Sequence, residues 1–72
     1  MKRTALIEAR KRSGLSAVAL AESAGSNEVR IFAFERGRYQ PHRDEAMRIS
    51  AALNTAPEIL FPEMFKGPAV KP

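Results

Sequence analysis

Apolar residues recur at helical spacing along most of this chain. Leu6, Ala9 and Leu15, with Arg10 among them, predict a first helix from about residue 3 to Ser13, with Gly14 placed to stop it. Ser16 offers an N-cap for a short helix from Ala17 to Ala24, whose apolar residues are Val18, Leu20, Ala21 and Ala24. Gly25 is a break where positive φ costs little. Asn27 is a second N-cap, opening a third helix through about Arg36, with Ile31 and Phe34 three apart, and Gly37 ends it. A fourth runs from about His42 to Leu53, with Ala46, Met47, Ile49 and Leu53 on its apolar side and Asn54 as a left-handed terminator. Pro57 suits the first turn of a last helix reaching Phe61, halted by Pro62. No strand-like alternation persists beyond a few residues. The expected fold is all-α, five short helices without repeats, with a domain over residues 1–62 and a tail over 63–72 that holds Pro68 and Pro72.

Size and composition narrow the classes. A 72-residue chain buries only about 60–65% of the surface it exposes when unfolded, so its core is marginal. It has no cysteine, which excludes disulfides, cysteine-bound zinc, iron–sulfur clusters and thiol catalysis. No apolar run approaches the roughly 20 residues of a membrane span. Glu8, Arg10, Lys11 and Arg12 interrupt any signal-peptide segment after the basic start Met1-Lys2-Arg3. A soluble, cytoplasmic domain without a cofactor is expected. One histidine, no glycine-rich phosphate loop and no clustered carboxylates leave no nucleophile–base pair, so no catalysis is expected. Asp44 and Glu45 are neighbours projecting about 100° apart, better suited to the positive end of a helix dipole than to acid–base work.

The net charge of +4 is unevenly placed. Residues 1–12 alone carry a surplus of four bases, and Arg36 to Arg43 forms a second basic zone with Arg38 and His42 and no acid. Between them, residues 17–36 are net −1. Such a balance permits nucleic acid as a partner without requiring it.

Two short helices around a glycine turn form a candidate helix-turn-helix at about residues 17–36. Ala21 falls where the helices would cross closely, Gly25 four residues later at the turn, and Ile31 and Phe34 face back to the core. The surroundings extend the pattern: Leu6 and Arg10, Gly14-Leu15-Ser16, Leu20-Ala21, Gly25, Ile31, Glu35-Arg36-Gly37, Pro41, Arg48-Ile49, Ala52-Leu53, Glu58 and Leu60-Phe61. In that order, across about residues 5–62, the chain resembles the Xre/Cro-type (lambda-repressor-like) helix-turn-helix regulators of bacteria and phages. The resemblance implies a five-helix bundle in which Arg10 and Glu35 match a pair bridging the first and third helices. It implies a transcriptional regulator, such as a repressor, that binds double-stranded DNA as a homodimer, with the helix Asn27–Arg36 in the major groove. It places Ser16, Asn27, Glu28, Val29, Arg30, Phe32, Ala33, Arg36, Arg38, His42 and Arg43 at DNA-contact positions. Lys2 and Arg3 would help if the N-terminus reaches the duplex, and the last helix would support dimerisation.

The chain also departs from the pattern of the family it resembles. Residues 28, 29, 32, 33 and 36 share one helix face. The family often has Gln, Arg, Ser or Thr there, and a phosphate-anchoring Gln where this chain has Ala17. Three readings of the face Glu28, Val29, Phe32, Ala33 stand open. The apolar groups contact thymine methyls while Glu28 accepts from a cytosine amine, with Arg30, Arg36, Arg38 and Arg43 on phosphates. Alternatively the face binds a protein partner, as an adaptor or antitoxin-like subunit would use it. In the third, Phe32 simply turns inward.

Overall fold

The computed structural model describes residues 2–65. Among them are five helices and no strand: α1 (Thr4–Arg12), α2 (Ala17–Ala24), α3 (Glu28–Arg36), α4 (Arg43–Leu53) and α5 (Pro57–Leu60). None is long and apolar enough to cross a membrane. The expected order is borne out, with ends shifted by a residue. Asn27 is the N-cap of α3 as expected, His42 stands just outside α4 as its N-cap, and Phe61 leaves α5 at φ −132°. The residues 66–72, with Pro68 and Pro72, lie outside the described residues, as does Met1.

Local hydrogen bonds explain these ends. Ser16 Oγ accepts from the Ala19 amide at 3.1 Å, and Asn27 Oδ1 accepts from the Arg30 amide at 3.0 Å. Each satisfies an orphan donor of a first turn. Four helices end in the same way. After α2 the Ser26 amide donates to the Ala21 carbonyl at 2.8 Å. The matching bonds after α1, α3 and α4 run from Leu15 to Arg10, Arg38 to Ala33 and Thr55 to Ser50. Such a closure needs a left-handed residue at the end. Gly25 supplies it between α2 and α3 at φ 66°, and Asn54 after α4 at φ 51°.

The core follows the i, i+3, i+4, i+7 rows. On α2 the row is Ala17, Leu20, Ala21, Ala24, and on α4 it is Ala46, Ile49, Ser50, Leu53; all are buried. Val18 and Met47 fall off those rows and stand nearly half exposed, so their assignment to the apolar side is corrected. Leu6, Ala9, Ile31, Phe34, Leu60 and Phe61 complete the core, with Leu15, Ala52, Met64 and Phe65 packed against it. Helix α2 packs on α3 and α4, and α1 on α3 and α5. Ala21 lies in the core at 3% exposure, as its place at the helix crossing requires.

Candidate nucleic-acid interface

The face expected to meet a partner is built on α3, whose buried side carries Ile31, Ala33, Phe34 and Glu35. Its opposite side presents Glu28, Val29, Phe32 and Arg36. Val29 is 76% exposed and Phe32 36%. Phe32 therefore does not turn wholly inward, since its open edge remains available. Ala33 is 7% exposed. Its expected place on the contact face is corrected, because it lies on the flank of α3 between Val29 and Arg30, where the bundle covers it. Ser16 and Asn27 flank the face at the starts of α2 and α3, and both are exposed.

Two ion pairs orient α3. Arg10 Nε donates to Glu35 Oε2 at 2.5 Å, and Arg10 Nη1 donates to the Leu15 carbonyl at 3.1 Å. This matches the bridge expected between the first and third helices. A second pair lies outside any expectation. Arg30 Nη2 donates to Glu45 Oε1 at 2.6 Å and Nε to Oε2 at 3.0 Å, while Ser26 Oγ donates to Oε2 at 2.6 Å. The guanidinium of Arg30 also lies 5.2 Å from the Phe34 ring centroid. The fork of Arg30 thus engages a buried carboxylate, while 39% of its side chain stays exposed. Glu45 does stand in the first turn of α4, yet its side chain ties α4 to α3 and to the turn.

The hydrogen bond to Arg30 holds the Glu45 carboxyl below its ordinary value, with Ser26 helping and burial opposing. For Glu63, burial is the largest single influence and pushes upward, but the hydrogen bond and charge of Arg3 together with a backbone hydrogen bond outweigh it, so the net direction is again downward. A carboxylate depressed in the folded state stabilises the fold above its unfolded pKa, about 4.3. That stability is lost as pH falls through the lower folded value. The urea midpoint is therefore expected to hold level above about pH 5 and to drop below about pH 4. Glu45→Gln should flatten the acid limb, and a wild-type midpoint unchanged down to pH 3 would contradict this account.

Arg3 is also spoken for. Its side chain, 11% exposed, is paired with Glu63. Its Nη1 donates to the Phe34 carbonyl at 2.5 Å and to the Tyr39 carbonyl at 3.1 Å. The expectation that Arg3 assists DNA contact is corrected to an internal clamp on the end of α3. It joins that end to Glu63, so the chain from residue 63 to Phe65 packs against the bundle. Arg48 enters the sequence pattern without a role: its Nε donates to the Ala24 carbonyl at 2.7 Å and closes the end of α2. No local pattern marks such a contact, because its partner lies on another helix.

The remaining cations line the edge of the face. Arg36 ends α3, Arg38 and His42 stand in the loop after it, and Arg43 opens α4; all four are exposed. The guanidinium carbon of Arg43 lies 5.0 Å from the Phe65 ring centroid, so its head rests over that ring while the residue as a whole stays exposed. The arrangement is an acid and two apolar side chains at the centre, with arginines at one end. The family model for helix-turn-helix domains, HTH_3, matches residues 6–60. No curated protein matches the chain.

Proposed function

This chain belongs to the helix-turn-helix family, a family of DNA-binding domains that are typically non-enzymatic, and we propose that it is a sequence-specific transcriptional regulator. On this reading α3 enters the major groove of double-stranded DNA with Glu28, Val29 and Phe32 toward the base edges. Ser16, Asn27, Arg36, Arg38, His42 and Arg43 meet the sugar–phosphate backbone. The observation that carries it is the exposed outer side of α3, held by an ion pair to a buried carboxylate on each flank and followed by a run of exposed cations. A repressor acting in the cytoplasm as a symmetric dimer fits, with two half-sites about 34 Å apart. Ile59 on α5 is 59% exposed and suits the dimer contact.

Selection of bound duplexes from a random pool tests binding, preference and half-site spacing together. Absence of salt-dependent binding at low ionic strength would sink the DNA reading. Arg38→Ala is expected to weaken all sequences alike and to lower the slope of log K against log salt by about 0.9. A changed sequence preference in that variant would instead make Arg38 a base reader. The exposed apolar side chains Val18, Val29 and Phe32 favour the second reading, a protein partner on this face. Phe32→Ala separates the two: operator binding weakens with the fold intact in one case, and only partner binding fails in the other.

A further inference from the structure

Glu28 and Phe32 stand four residues apart on α3, and both are exposed. Residues at this spacing are neighbours on a helix surface, about 5–6 Å apart at Cβ. A long side chain on a helix leans over the turn before its own Cα, so the Phe32 ring leans toward Glu28. The helix therefore offers one hydrogen-bond acceptor beside one aromatic edge. Arg30, the guanidinium nearest to them in the chain, is turned to Glu45 on the other flank. The first two turns of the outward face thus read by acceptor and apolar surface, with no arginine fork for guanine.

On the major-groove edge of cytosine the 4-amino donor adjoins C5, the carbon that carries the methyl group in thymine. Resting on the DNA-binding reading above, we propose that Glu28 and Phe32 together read 5-methylcytosine. The Glu28 carboxylate accepts from the 4-amino group while the Phe32 ring packs against the C5 methyl of the same base. Unmodified cytosine satisfies the carboxylate and leaves the ring without its contact. Thymine satisfies the ring but turns its O4 acceptor toward a carboxylate, which is repulsive. Only the methylated cytosine meets both groups. Val29, the most exposed apolar side chain of α3, covers a C5 methyl on an adjacent base.

The test begins with two random duplex pools, one made with cytosine and one with 5-methylcytosine, each selected against the full chain at low salt. Dissociation constants are then measured on the best duplex with cytosine, 5-methylcytosine or thymine at each pyrimidine in turn. At one position, methylation of cytosine is expected to tighten binding about four-fold, the worth of one buried methyl, with thymine weaker than both. Phe32→Ala should abolish that ratio while retaining weaker, salt-dependent binding, and Glu28→Gln should bring thymine level with 5-methylcytosine. Thermal melts of both variants establish that they are folded at the assay temperature. Equal affinity for methylated and unmethylated duplexes at every position, or a ratio that survives Phe32→Ala, overturns methyl readout and leaves DNA binding standing. Failure of both pools to bind overturns the DNA reading and this proposal together.

Discussion

Glu35→Ala is expected to lower the thermal midpoint by on the order of 15–30 °C, or to leave no folded baseline at all. The Glu35 side chain is 7% exposed and faces Arg10 at 13%. Removing one partner of a buried pair strands the other's charge and costs about 3–5 kcal/mol. A domain of this length has only about 4–11 kcal/mol in total, so the loss is a large fraction of it. The pair's own net worth is a different matter. Replacing both members with apolar residues of similar size, Arg10→Met with Glu35→Leu, should recover most of the loss, because neither charge is then desolvated. Circular dichroism melts of the three variants decide this. A single variant within about 5 °C of wild type would show that the pair is solvated in solution.

The second large effect is expected at Phe34. It is fully buried and its ring faces the Arg30 guanidinium. Phe34→Ala should cost about 3–5 kcal/mol through lost transfer energy and the cavity left behind. Phe32, two residues away on the same helix, should behave otherwise. With over a third of its surface open, Phe32→Ala should cost on the order of 1–2 kcal/mol while carrying the larger loss in DNA affinity. Urea midpoints with mobility shifts on the two variants test the contrast. Equal destabilisation by both would mean that Phe32 is a core residue and that α3 offers no aromatic edge to a partner.

These two phenylalanines show how far the sequence could be read. The spacing of Ile31 and Phe34 assigned the inner side of α3 correctly, because a 3.6-residue period is a local property of the chain. Ala33 was misplaced because it lies at the border between the two sides. There a helical wheel is indifferent, and only the neighbouring helices decide how wide the buried sector is. Val18 and Met47 were misplaced for a similar reason: the pattern counted them as apolar without asking whether they shared a row with Leu20 or Ile49. The arginines were the hardest. Arg10 was legible through a family resemblance, whereas nothing in the sequence separated Arg30 and Arg3 from Arg36 and Arg38.

What the sequence determined by itself were the elements and their ends. Ser16, Asn27, Gly25, Gly37 and Asn54 close hydrogen bonds with groups no more than five residues away, so the information needed is contained in the same short segment. What only the tertiary structure decided was which charges remain free for a partner. Arg30 finds Glu45 across 15 residues, Arg48 the end of α2 across 24, and Arg3 Glu63 across 60. A long side chain on a flexible stem takes whichever acceptor the packing brings within reach, and that acceptor is set by the assembled bundle. Three arginines are thereby committed to holding α2, α3 and the C-terminal segment in place. Those after α3 stay in solvent, where they can meet phosphate.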